Sequence, residues 1–130
     1  MSSQIDSHLL TWSRLAGLAA GALLALAGCS SSPNCDDLLP AGSASFRDVA
    51  PMFTDKGPKG CAQCHNTKEP VYGLNFEGPA VTYDALNRRF DAIYDQVETG
   101  SMPRKGERWT QADLKLLRSW YCQGAIYETP

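Results

Sequence analysis

Five cysteines in a chain of 130 residues limit its fold more than any other feature. They stand at positions 29, 35, 61, 64 and 122. Two of them form the string Cys61-Ala62-Gln63-Cys64-His65, a thiol pair two residues apart with a histidine directly behind it. The number is odd, so pairing within the chain cannot use them all. Only 2 histidines are present, His8 and His65, so any metal or cofactor chemistry is built from few parts. The rest of the composition sets bounds. A chain 43% hydrophobic, 20% charged and of net charge −2 suits one small domain. It lacks the basic excess of a nucleic-acid binder, and 9% aromatic residues set it apart from disordered sequences. A domain of roughly 85 ordered residues has a thin core and usually needs a staple: a metal, a disulfide or a buried cofactor.

Residues 15–27, LAGLAAGALLALA, carry no charge and follow Arg14. The run falls short of the roughly 20 apolar residues of a spanning helix, and it has the layout of a secretory signal. Leu26-Ala27-Gly28-Cys29 resembles the lipobox of bacterial lipoproteins, in which the signal is cut before the cysteine and the cysteine carries lipid. That resemblance implies a signal peptide over 1–28, lipidation at Cys29, and an exported, membrane-anchored protein on the periplasmic side or at the outer membrane. Disulfides persist there. A plain secretory signal or a buried apolar helix is the blander alternative. Residues 29–44 are small and polar in large part and read as a flexible tether, leaving 45–130 as the folded domain.

Within that domain the apolar spacing is helical. Phe46, Val49 and Phe53 share one face behind a serine N-cap, Ser45, and Pro51 shortens or kinks the element. Thr82 is read as the cap of a second helix through Tyr83, Leu86 and Phe90. A third helix carries Ile93, Tyr94 and Val97 and ends at Gly100. The last is the clearest. Thr110 and Asp113 make a capping box, Leu114, Leu116, Leu117, Trp120 and Tyr121 form an apolar arc, Lys115, Arg118 and Ser119 lie opposite, and Gly124 stops it. The expectation is an all-α fold of three to five short helices, with a long loop over 66–81.

The string C-x-x-C-H is an attachment motif for c-type haem. Its thiols form thioethers with the porphyrin vinyl groups, and the adjacent imidazole becomes the proximal ligand to iron. A thioredoxin-like C-x-x-C would follow a strand in a βαβ setting, which is missing here. A zinc site would want a second ligand pair, and Cys35 and Cys122 stand singly and far away. A chance match in a cysteine-rich chain is the third alternative. With His8 in the signal, the mature chain keeps one histidine, so the second axial ligand is not another imidazole. The remaining candidates are Met52, beside Phe53 in the first helix and more simply a core residue, and Met102 in the loop Gly100-Ser101-Met102-Pro103.

Taken in order, Phe46…Val49…Pro51-Met52-Phe53, then Cys61-x-x-Cys64-His65, then Gly-Ser-Met102-Pro, then an aromatic terminal helix ending Gln-Gly-Ala, the chain resembles a class I cytochrome c domain over roughly residues 45–126. The resemblance implies one covalent haem c held by Cys61 and Cys64, with His65 proximal and Met102 distal. It also implies first and last helices that cross beside the haem. The His-to-Met segment is short for the family. The expected function is single-electron transfer between redox partner proteins by a membrane-anchored, monomeric carrier. With both axial positions filled, the protein is not expected to be an enzyme on its own. The alternatives are a haem sensor or peroxidase-like protein with a labile distal ligand, and an accessory haem subunit of a larger oxidoreductase.

With Cys29 assigned to lipid and Cys61 and Cys64 to haem, Cys35 and Cys122 remain, and outside the cytoplasm they are expected to pair. Charge is uneven. Residues 29–100 hold 6 basic and 10 acidic groups, whereas 101–130 hold 5 and 3. Arg104, Lys105 and Arg108, just after Met102, would meet an acidic partner or the haem propionates, or form an ordinary solvated surface.

Overall fold

The computed structural model describes residues 32–128. The signal over 1–28 and the lipidation site Cys29 lie outside them. Three α-helices follow in order: α1 (Phe46–Thr54), α2 (Pro79–Glu98) and α3 (Gln111–Cys122), with a 3-10 turn over Val71–Gly73. Each helix packs on the other two. The described part of the chain is therefore all-α, joined by long connections. None of its helices is long and apolar enough to cross a membrane.

The α1 face works as its spacing predicts: Phe46, Val49 and Phe53 are fully buried, each worth about 1.5–3 kcal/mol of transfer free energy. The carboxylate of Asp48 accepts the Ser45 N–H at 3.3 Å, closing the first turn. At α3, Thr110 N–H donates to Asp113 at 2.7 Å and Asp113 N–H to the Thr110 hydroxyl at 3.2 Å. Trp120 binds α3 to α1 by ring contact with Phe46, centroids 5.5 Å apart. Phe90 of α2 stacks on Tyr121 of α3 at 3.6 Å.

Two expectations change. The second and third helices are one, α2. It starts at Gly78-Pro79, with proline at the first helical position. Thr82 is buried inside it and caps nothing. No glycine or proline interrupts the run, so the helix continues through a single unwound residue, Arg89 (φ −139°, ψ 30°). Ser119, expected on the polar side of α3, is fully buried. Its hydroxyl accepts the Leu39 N–H at 2.9 Å.

That hydrogen bond belongs to a longer seam. Gln123 donates to the Leu39 carbonyl at 2.9 Å and accepts the Gly42 N–H at 3.0 Å. Lys115 pairs with Asp37 at 3.0 Å. Cys35 and Cys122 are joined by a disulfide, their Cα atoms 5.8 Å apart. From Cys35 onward, the stretch read as a tether is thus fastened to α3, because the helix offers it a buried acceptor, a two-way amide and a thiol. The bridge spans 87 residues, for which chain entropy alone gives about 4–5 kcal/mol. Replacing both cysteines by serine should lower the unfolding free energy by up to that amount in denaturant titrations. A change below about 1 kcal/mol would mean that the seam holds without the bridge.

Candidate cofactor site

The end of α1 fixes the cysteine turn. The carbonyl of Phe53, in the last turn of the helix, accepts two backbone donors, Cys61 N–H at 3.0 Å and Ala62 N–H at 2.9 Å. An adjacent contact has no slack. A Cβ on Gly60 would stand 1.8 Å from the Asp55 carbonyl oxygen, so only glycine lets the two backbones meet. The turn then closes on itself, with His65 N–H donating to the Cys61 carbonyl at 2.9 Å. The loop that carries Met102 is pressed onto the same region. Gly106 would clash with the Pro58 carbonyl at 1.8 Å if it bore a Cβ, Glu107 N–H donates to that carbonyl at 3.1 Å, and the Trp109 indole donates to the Lys59 carbonyl at 3.1 Å.

Between these parts lies a largely apolar cleft of about 730 Å³, within the range of cofactor and ligand sites. Cys61, Cys64 and His65 line it from the turn, Ile93 and Val97 from α2, and Met102 from the loop. The structure thus brings the sequence-predicted residues Cys61, Cys64, His65 and Met102 to one cavity. Met52 does not line it and packs against the helical core instead. Arg104 and Lys105 stand at the cleft as well, while Arg108 lies against Gly100. Cys35 and Cys122 are elsewhere, in their disulfide.

His65 is buried and held at several points. Its carbonyl accepts the Phe76 N–H at 2.9 Å, and its ring meets the Phe76 ring edge-on at 5.6 Å. Its Nδ1 stands 3.2 Å from the Val71 carbonyl oxygen. A carbonyl only accepts, so Nδ1 is the donor in this contact, and in the neutral ring that leaves the Nε2 lone pair for a ligand. A metal-binding imidazole is commonly oriented by such a second hydrogen bond. The two thiols differ. Cys64 is exposed and Cys61 half-buried, and burial, with a smaller contribution from Cys64, pushes the Cys61 thiol up to about 12. Among the described residues no three His, Cys, Asp or Glu side chains converge to hold a bare metal ion. The cleft thus sets two thiols, an imidazole and a thioether among largely apolar side chains, a donor set that could hold an apolar group.

Sequence reasoning missed the α2 wall. Ile93 and Val97 are legible as apolar positions of a helix, but their spacing does not show that they face a cleft. Arg89, Gln96 and the carbonyl of Val71 gave no signal, since nothing in a residue's type announces that its backbone oxygen will orient a ring. The spacing of Arg89, Ile93, Gln96 and Val97 on one helix face was the available clue. No family profile, curated protein or solved structure matches the chain.

The contrast between the thiols is testable in chain prepared without any cofactor. Alkylating reagent at pH 8 should modify Cys64 at least about tenfold faster than Cys61. Cys61 should become reactive only as the pH climbs towards its raised value of about 12. Equal rates at both thiols would show that the turn is not held against α1.

Proposed function

We propose that this chain is a c-type cytochrome: a lipid-anchored, exported carrier of single electrons with one covalent haem in the cleft. The observation that carries the proposal is the convergence of Cys61, Cys64, His65 and Met102 on one apolar cavity, with the imidazole held as its Nδ1–H tautomer by the Val71 carbonyl. When bound, the haem supplies a one-electron iron couple.

The chain's own residues have separate tasks under this reading. Cys61 and Cys64 retain the group as thioethers. His65 presents Nε2, and its bond to the Val71 carbonyl raises the ring's donor strength. Met102 supplies a thioether, a soft ligand that favours the reduced state relative to a second imidazole. Leu74, Phe76, Ile93 and Val97 line the cleft and exclude water. Arg104 and Lys105 provide positive charge at its mouth, where acidic redox partners would be attracted. Met102 lines the same cleft as His65; were it to hold the bound group, no open position would remain for a substrate, and the reading would be a carrier rather than a peroxidase-like protein.

Protein made with haem-maturation machinery should keep haem on the denatured chain, and Cys61→Ala with Cys64→Ala should abolish the stain. Haem retained by the double variant would refute covalent attachment at this turn. The ferric protein should show the weak far-red methionine-to-iron band. Met102→Ala should remove it and admit cyanide rapidly, while Met52→Ala should leave it in place. Loss of the band in Met52→Ala alone would move the distal role to that residue.

The anchor is tested separately. Wild-type protein should partition into detergent with membranes, and Cys29→Ser should be released or misprocessed. Unlipidated, freely soluble wild-type protein would refute the anchor while leaving the haem reading intact.

A further inference from the structure

The bond that orients His65 depends on a fragile support. The Val71 carbonyl accepts two donors at once, His65 Nδ1–H at 3.2 Å and Leu74 N–H at 3.2 Å, both at the long end of the hydrogen-bond range. Val71 begins a three-residue 3-10 turn that is open to solvent: Val71 is 40% exposed and Tyr72 77%. Tyr72 also occupies the left-handed region (φ 56°, ψ 24°), a conformation that costs a non-glycine residue free energy and persists only where neighbours impose it.

A neighbour does so. The guanidinium of Arg89 donates through Nη1 to the Tyr72 carbonyl at 3.0 Å, across 17 residues of chain. Arg89 is also the one residue inside α2 with a non-helical backbone (φ −139°, ψ 30°). Two local departures, an unwound residue in a helix and a left-handed tyrosine in a turn, therefore meet at one hydrogen bond. That bond fastens the peptide next to the carbonyl that holds His65, and Arg89 itself lines the cleft.

We infer that Arg89 is a positioning residue for His65: it clamps the Val71–Gly73 turn to α2 and so keeps the Val71 carbonyl on Nδ1. The inference rests on the reading of His65 as an axial ligand for its functional meaning, but the clamp is a property of the chain alone. An exposed arginine at an ordinary helical position would contribute only surface charge. This one spans from a bent helix to a strained turn, and its planar donor group suits a backbone acceptor.

The test is nitrogen-resolved NMR of the His65 ring in the full protein as purified, reading solvent exchange of the Nδ1–H proton. The wild-type proton should be protected. Arg89→Ala should speed its exchange at least tenfold, while the Cys61 and Ala62 amides, bound to Phe53, should stay within about twofold of wild type. Exchange unchanged at Nδ1–H in a folded Arg89→Ala protein would overturn the clamp. Equal acceleration at Cys61 and Ala62 would also overturn it, since that is global loosening. Should Arg89→Ala not fold, Arg89→Gln is read for the same outcomes. A haem stain keeps the two readings apart. With the stain read on wild-type protein made with haem-maturation machinery, absent haem with exchange accelerated in the variant refutes the cytochrome reading and keeps the clamp, whereas bound haem with unchanged exchange does the reverse.

Discussion

The carbonyl of Phe53 is the point at which the helical core and the cleft become one structure. A helix leaves its last carbonyls without partners, and α1, only 9 residues long and interrupted by Pro51, has few turns to spare. Its terminal acceptor is taken by the Cys61 and Ala62 amides. The side chain of the same residue is fully buried, against Phe76 and Trp109 at ring-centroid separations of 5.2 and 5.0 Å. Phe76 in turn meets the His65 ring, and Trp109 ties the loop after Met102 to Lys59. One residue thus anchors the thiol turn through its backbone, and through its ring both the imidazole and the return loop. Anything that loosens α1 would be felt at the cleft.

What could be read from the sequence followed from repeat and type. The α1 face, the Thr110–Asp113 box and the apolar arc of α3 rest on helical spacing, and they stand as expected in an all-α arrangement. The motif Cys61-x-x-Cys64-His65 and the candidate Met102 were marked by residue identity and position, and they line one cavity. What could not be read depends on backbone geometry and on partners distant in the chain. Ser119 looked solvent-facing because its partner, the Leu39 amide, lies 80 residues away. Gly60 and Gly106 looked like loop residues, though each is a contact where a methyl group does not fit. The continuity of α2 was hidden by Thr82, whose type suits a cap but whose neighbours bury it.

Electrostatics is a secondary influence on this fold. The ion pairs Lys56–Glu77 and Lys59–Asp113 join exposed or half-exposed groups, and pairs of that kind contribute little to stability. Asp113 is the more informative case. Burial raises its carboxyl, but hydrogen bonds from Thr110 and the charge of Lys59 outweigh that and hold it below the ordinary value. Its contribution is therefore present above the unfolded carboxylate pKa and fades as the pH falls through the lowered one. The start of α3 is an acid-sensitive point, remote in sequence from the cysteine turn.

The seam along α3 also divides the molecule by connectivity. Among the described residues the cleft is lined by those between Pro58 and Gly106, whereas the disulfide and the Ser119 and Gln123 contacts gather the two ends of the described chain. Tyr127 joins that gathering by packing on Phe46 and Tyr83. The described chain is in effect a loop closed by the Cys35–Cys122 bridge, with its cavity in the middle of the sequence. A pull applied across the two ends would therefore load the disulfide before it reached the cleft.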